Sequence, residues 1–134
     1  MTVILDSHVL LWLMEGRREL GRLARARCDE ALRDDAVGVS AVTFYELANE
    51  HRKGRIALSP DPATWRQNVL ALGVVEFPVD APIAIEAAGL ADMHNDPMDR
   101  LIVATVLRND ATLMTADGAI LRWKAPLSRL DAAR

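Results

Sequence analysis

The chain of 134 residues is 51% apolar and 26% charged, which is typical of a globular domain, and we expect a single domain over residues 1–134. Its formal net charge of −3 does not by itself indicate a nucleic-acid-binding protein, and no apolar run approaches the ~18 residues of a membrane span. The single cysteine, Cys28, excludes an internal disulfide, and the N-terminus lacks the basic segment of a signal peptide. We therefore expect a cytoplasmic protein without membrane contact.

The first half of the chain alternates strand and helix patterns. Short β-branched apolar runs predict buried strands, and capping residues followed by apolar positions at helical spacing predict helices. The predicted elements are a strand over 2–5, a helix from Asp6 to Gly16, a helix over 20–32, a strand over 36–39 and a helix from Ser40 to about Gly54. On this last helix we assign Val42 and Tyr45 to the inward face, with Glu46 beside them.

The second half continues the same alternation. The predicted elements are a helix over 63–72, a strand over 74–77, a helix over 83–90, a helix from Pro97 to about Arg108, a strand over 111–114 and an edge strand over 127–130. Asp117 and Gly118 form an Asp-Gly pair, which is a strong turn signal, and a frayed tail is expected after the edge strand. Such an alternation predicts an α/β fold with a parallel sheet and right-handed crossovers.

Four acidic residues occupy related positions in this pattern. Asp6 and Asp117 directly follow predicted strands, whereas Glu46 and Asp99 lie on helices near the same edge. Because every strand-to-helix turn of a parallel sheet lies at one edge, and ligands bind there in open α/β sheets, we expect these carboxylates to meet.

Each acid also has a purely structural interpretation. Asp6 and Asp96 are suited to cap helices, and Asp96 with Asp99 resembles a carboxylate version of the capping box. Asp117 fits a turn, and Glu46 fits a surface acid paired with a neighbouring base. Considered alone, the pair Asp96 and Asp99 favours the cap.

Convergence of the acids instead favours metal-dependent chemistry. Two carboxylates about 4 Å apart repel by roughly 4 kcal/mol at an effective dielectric near 20, so the cluster must bind protons or cations. Oxygen donors without cysteines or paired histidines select Mg²⁺ or Mn²⁺ over zinc. A site of this kind suits in-line displacement at phosphorus, and we therefore predict metal-dependent cleavage of a phosphodiester.

Basic residues concentrate in one stretch, residues 51–66. Arg52, Lys53 and Arg55 are candidates for contacts with RNA phosphates, and the alternative is a solvated helix end. The sequence pattern leaves both open.

Four motifs resemble those of PIN-domain ribonucleases. They place Asp6 in Val-Ile-Leu-Asp-Ser-His, Glu46 in Ser-Ala-Val-Thr-Phe-Tyr-Glu-Leu, Asp99 in His-Asn-Asp-Pro-Met-Asp-Arg and Asp117 in Leu-Met-Thr-Ala-Asp. Their order and spacing extend over nearly the whole chain and are most similar to VapC-type toxins of bacterial toxin–antitoxin pairs. Met98 stands where an aromatic residue is common in the family.

The resemblance implies a three-layer α/β/α PIN-like domain with a mainly parallel central sheet. It further implies an Mg²⁺- or Mn²⁺-dependent endoribonuclease that forms a homodimer and is neutralised by a small cognate antitoxin. It assigns metal binding to Asp6, Asp99 and Asp117, with Glu46 as a further ligand, direct or through water. Asp96 is implied to be a helix cap, a supporting acid or an occasional ligand.

Two other classes of protein fit part of the pattern. A non-catalytic PIN-fold module that binds a protein partner would keep the same fold. A receiver-like phosphoacceptor domain also collects acids at a parallel sheet edge, but it needs a lysine after a late strand. Lys53 and Lys124 are the only lysines, and neither has that position.

Overall fold

The computed structural model describes Met1–Arg134, and its elements alternate between strand and helix. The strands are β1 (Val3–Leu5), β2 (Val37–Ser40), β3 (Val75–Phe77), β4 (Thr112–Thr115) and β5 (Arg129–Asp131). The helices are α1 (Ser7–Glu15), α2 (Arg22–Arg33), α3 (Ala41–Arg52), α4 (Pro62–Ala71), α5 (Ala81–Ala88), α6 (Pro97–Arg108) and α7 (Gly118–Arg122). No helix combines the length and apolar character that a membrane crossing requires.

The five strands form one parallel sheet in the order β3-β2-β1-β4-β5. Ile4 in β1 pairs with Gly38 in β2 and with Leu113 in β4. Helices cover both faces of the sheet, which confirms the predicted three-layer α/β/α class.

The central strand β1 explains why both faces must be covered. Val3, Ile4 and Leu5 are at most 1% exposed. Val3 and Leu5 join a core cluster that includes residues of α1 and α2, whereas Ile4 joins a second cluster that includes residues of α6. Successive side chains of a strand point to opposite faces, so three apolar residues in a row require packing on both sides.

The connection order places a crevice between β1 and β4. From β1 the chain moves outward to β2 and β3, and it then returns to pair β4 on the other side of β1. In open α/β sheets, the carboxyl ends of strands at such a switch point form the binding crevice. Asp6 follows β1 and Asp117 follows β4, so both flank this crevice.

The structure corrects three local predictions. Tyr45 is 65% exposed, and the buried face of α3 is formed by Thr43 and Leu47, which are four residues apart and so share one side of the helix. Asp117 and Gly118 do not form a simple turn, because Asp117 caps α7. The C-terminal tail is not frayed: Ala132 is buried, and its carbonyl accepts a 2.8 Å hydrogen bond from the N–H of Gly21.

Candidate active site

An acidic cavity of about 380 Å³ opens at the carboxyl end of the sheet. Five of its nine lining residues are acids, and the full lining is Asp6, His8, Val9, Trp12, Glu46, Asp96, Asp99, Ala116 and Asp117. The structure thus brings together all four acids that the sequence pattern placed at this edge, and Asp96 joins them. No lysine lines the cavity, which leaves the receiver-like interpretation without its required cation.

Asp6 serves as a helix cap and faces the cavity at the same time. Its Oδ1 accepts a 2.8 Å hydrogen bond from the N–H of Ser7 at the start of α1. Its Oδ2 accepts a 2.7 Å hydrogen bond from the hydroxyl of Thr115 at the end of β4. Burial raises the pKa of Asp6, these two hydrogen bonds oppose the rise, and the charge of Asp117 adds to it.

Asp117 has the corresponding arrangement at the start of α7. Its Oδ1 accepts hydrogen bonds from the N–H groups of Ala119 at 2.8 Å and Ile120 at 3.2 Å. Its own N–H donates to the Thr115 hydroxyl oxygen at 3.0 Å. The Thr115 hydroxyl therefore connects Asp6 with Asp117, a function that the sequence pattern does not indicate.

At the start of α6, Asp96 caps the helix and Asp99 faces the acidic cavity. Oδ1 of Asp96 accepts hydrogen bonds from the N–H of Met98 at 2.9 Å and that of Asp99 at 3.3 Å. Pro97 occupies the first helical turn, where its missing N–H leaves no bond unmade. Asp96 is thus exposed and caps the helix, whereas the Asp99 side chain is 14% exposed and turned toward the other acids.

Asp99 lies among four other carboxylates in the cavity. Burial raises its pKa, and the negative charges of Asp6, Asp96, Glu46 and Asp117 raise it further, to about 8. A carboxyl with this pKa holds a proton near neutral pH unless a cation replaces the proton.

Glu46 extends from α3 toward the same centre. Its Oε1 is buried and has no hydrogen-bond partner. Burial raises the pKa of Glu46, and the charge of Asp6 raises it further. An unpaired buried carboxylate oxygen is costly, so this atom is suited to accept a proton or a cation.

His94 belongs to this centre, although the sequence pattern does not indicate a function for it. Its Nε2 is buried, 3.4 Å from Oδ2 of Asp99 and 3.7 Å from Oδ2 of Asp117. Its Nδ1 accepts a 3.3 Å hydrogen bond from the N–H of Asp96, and in the neutral ring this places the proton on Nε2, toward the carboxylates. In the sequence, the only feature that indicates this location is that His94 stands two residues before Asp96, the cap of α6.

The donor set fits a hard divalent cation. Oxygens of Asp99 and Asp117 and a ring nitrogen of His94 all lie within 4.8 Å of one another, and the unpaired oxygen of Glu46 is a further acceptor. Nε2 of His94 can act as a ligand only in the tautomer that carries its proton on Nδ1. A cation would relieve the repulsion that raises the pKa of Asp99. Oxygen-rich donors favour Mg²⁺, Ca²⁺ or Mn²⁺ over softer metals, although the single imidazole departs from the oxygen-only set that the sequence predicted.

The three predicted RNA-contacting residues lie elsewhere, at the C-terminal end of α3. Arg52 donates a 2.8 Å hydrogen bond to Asn49, and Arg55 forms a 3.2 Å ion pair with Glu50. Lys53 caps the helix end. None of the three lines the acidic cavity, and their contact with RNA stays a prediction.

Comparison with known proteins assigns the family. The sequence profile described as PIN domain matches residues 3–125. The chain belongs to the PIN-domain family. This PIN domain is 32% identical over 126 residues to Ribonuclease VapC22 from Mycobacterium tuberculosis, covering 93% of this chain and 94% of the relative. The predicted resemblance to PIN-domain ribonucleases of the VapC type is thereby confirmed.

Solved structures with the same fold come from several bacteria. VapBC-1 from nontypeable Haemophilus influenzae matches this PIN domain with a TM-score of 0.71 at 18% identity, over 100% of both chains. FitAcB from Neisseria gonorrhoeae matches with a TM-score of 0.70 at 20% identity, over 98% of both chains. A toxin-antitoxin complex from Klebsiella pneumoniae matches with a TM-score of 0.67 at 18% identity, over 98% of both chains. At these identities the matches support the fold.

Proposed function

We propose that this PIN domain is a metal-dependent endoribonuclease that cleaves RNA phosphodiesters as the toxin of a toxin–antitoxin pair. The observation that supports it most is the convergence of Asp6, Glu46, Asp99 and Asp117 on one cavity, in a chain similar to a ribonuclease over nearly its whole length. The family assignment favours a nuclease, and the cavity supplies the acids that nuclease chemistry requires.

Asp6, Asp99 and Asp117 would hold Mg²⁺ or Mn²⁺, and Glu46 would complete the site directly or through water. When bound, the ion supplies positive charge that stabilises the negative charge developing on the phosphate during hydrolysis. Asp96 caps α6 and adds negative charge without a required contact to the ion.

The chain's own residues hold this site in place before any substrate arrives. Thr115 orients Asp6, and the N–H groups at the start of α7 orient Asp117 through Oδ1. Oδ2 of Asp117 is then directed toward His94 and Asp99. Fixed donors and acceptors of this kind reduce the reorganisation needed at the transition state.

The family assignment supports the partners that we propose. We propose an RNA substrate, a small cognate antitoxin that neutralises the enzyme, and a homodimer as the active unit. Arg52, Lys53 and Arg55 remain candidates for contacts with RNA phosphates.

A reducing cytoplasm suits Cys28, since burial raises the pKa of its thiol to about 11 and leaves it a packing residue.

Substitution of two site acids tests the activity. Asp6→Asn and Asp99→Asn keep side-chain size but remove a charge, and we expect each to lower RNA cleavage in Mg²⁺ at least ~100-fold, as losing a preorganised electrostatic contact does. The matched control is Asp29→Asn on the exposed face of α2, which removes the same charge away from the cavity. Circular dichroism checks that all three variants fold.

The assignment fails if both site variants cleave RNA like the parent. If the folded parent protein itself leaves RNA intact in Mg²⁺ and in Mn²⁺, the non-catalytic binding module becomes the better interpretation.

A further inference from the structure

A second groove, of about 480 Å³, lies beside the acidic cavity. Its lining residues are Asp92, Met93, His94, Ala119, Arg122, Trp123 and Lys124. His94 is common to both places, because it lines the groove while its Nε2 lies 3.4 Å from Asp99 in the cavity. The groove and the acids therefore contact the same His94 side chain.

The two cations of the groove are free to bind a ligand. Arg122 and Lys124 are exposed, and neither forms an ion pair or a side-chain hydrogen bond with the rest of the chain. The Arg122 guanidinium lies against Gly118, the residue after Asp117, where an added Cβ would stand 2.7 Å from its Nη1. By contrast, Arg52 and Arg55 at the end of α3 already have partners within the chain.

Trp123 gives the groove a rigid aromatic wall. Its indole N–H donates a 2.9 Å hydrogen bond to the carbonyl of Ala91, and part of the side chain packs on the core cluster beneath α6. The side chain is only half-buried, so some of its surface remains available in the groove. An aromatic ring fixed in this way offers a stacking surface at little entropic cost.

We propose that this groove binds the segment of single-stranded RNA on one side of the scissile phosphate. Arg122 and Lys124 contact backbone phosphates, and one base stacks on Trp123. The inference rests on the proposed nuclease function. The acidic cavity has neither arginine nor lysine in its lining and repels a polyanion, so cations at its border are needed to hold the strand. Unpaired cations beside an aromatic wall are the usual elements of a single-strand site.

Removing the two cations tests the phosphate contacts. Binding of a short fluorescein-labelled RNA of mixed sequence is followed by anisotropy in EDTA at several salt concentrations, and cleavage is followed in Mg²⁺. For Arg122→Gln with Lys124→Gln, the slope of log affinity against log salt is expected to fall by about 1.4, at ~0.7 per phosphate contact of a single strand. KM is expected to rise about tenfold, with a smaller change in kcat.

The matched control is Arg18→Gln with Arg22→Gln, which removes the same charge at exposed positions outside both the cavity and the groove. We expect this control to keep the salt dependence of the parent. An equal loss of slope in both double variants would assign the effect to net charge and overturn the proposal.

Replacing the indole tests the stacking contact. Trp123→Phe keeps an aromatic ring and is expected to bind RNA within about threefold of the parent, whereas Trp123→Leu is expected to bind about tenfold more weakly. Circular dichroism and the thermal midpoint show whether each variant remains folded. If folded Trp123→Leu binds RNA as tightly as the parent, the proposed stacking contact is overturned.

The two proposals fail in different ways. If the parent does not cleave RNA, the nuclease function fails, while binding in EDTA still tests the groove. If the parent cleaves but the groove variants bind and cleave like it, the nuclease function stands and the RNA-binding groove is overturned.

Discussion

Asp6 and Asp117 each use their two carboxylate oxygens for different purposes. One oxygen accepts hydrogen bonds from the first N–H groups of a helix, Oδ1 of Asp6 for α1 and Oδ1 of Asp117 for α7. The other faces Thr115 or His94 across the crevice. A capping carboxylate is stabilised by the helix N-terminus, so the same residue builds the turn and presents negative charge to the cavity.

Substitutions of Asp117 separate these two functions. Asparagine retains an oxygen that can cap α7, whereas alanine removes it, so Asp117→Ala is expected to lose about 1 kcal/mol of unfolding free energy relative to Asp117→Asn. Both variants are expected to lose RNA cleavage to the same extent, because both remove the carboxylate charge. Urea unfolding and a cleavage assay measure the two effects. Equal unfolding midpoints would show that Asp117 contributes nothing as a cap.

At the level of strands and helices, Thr115 connects β4 to the loop that follows β1. Its side chain is buried, its hydroxyl donates to Asp6, and its oxygen accepts from the N–H of Asp117. One hydroxyl thus fixes the distance between the two strand ends that flank the crevice.

Thr115→Val keeps the shape of this side chain and removes the hydroxyl. Asp6 Oδ2 and the Asp117 N–H would lose a partner each, and we expect a loss of about 1–3 kcal/mol in unfolding free energy together with weaker cleavage. Thr115→Ser retains the hydroxyl and is expected to keep most of the activity. Denaturant titration and cleavage rates compare the two variants, and a fully active valine variant would contradict this positioning function.

Local signals predicted some of these elements well and others poorly. The start of α6 was predicted because Asp96 and Pro97 are a cap and a first-turn residue by their own chemistry. Helix α7 was missed because an Asp-Gly pair is equally suited to a turn and to the cap of a short helix. His94 was missed because its contacts with Asp99 and Asp117 depend on how a loop folds over two helix starts, which the sequence pattern does not specify.

At the level of the whole molecule, the cluster of acids makes the free energy of unfolding depend on pH when no metal ion is bound. Folded Asp99 has a pKa of about 8 against the ordinary value of 3.8, so between these values the folded carboxyl binds the proton that the unfolded one releases. Stability therefore falls as pH rises through this window, by up to about 1.4 kcal/mol per pH unit. Burial also raises the pKa of Asp6 and of Glu46, and both shifts likewise lower the stability as the pH rises.

In EDTA, we expect the urea midpoint of the parent to decrease from pH 5 to pH 8. Asp99→Asn, which cannot ionise, is expected to show a flatter profile and to be at least as stable as the parent at pH 8. Added Mg²⁺ should raise the parent's midpoint most at the higher pH, where the carboxylates are free to bind it. A parent midpoint that rises with pH in EDTA would contradict the raised pKa of these acids.

The strand order also determines when this site can exist during synthesis. Asp6 comes from β1, near the start of the chain, whereas Thr115 and Asp117 follow β4, which pairs with β1 only after more than a hundred intervening residues have been made. A nascent chain whose β4 has not yet left the ribosome lacks Asp117. It also lacks the Thr115 hydroxyl that holds Asp6 in place. Under the proposed function, the growing polypeptide is therefore harmless to the RNA that surrounds it, and hydrolysis begins only after the last quarter of the chain has folded against the first strand.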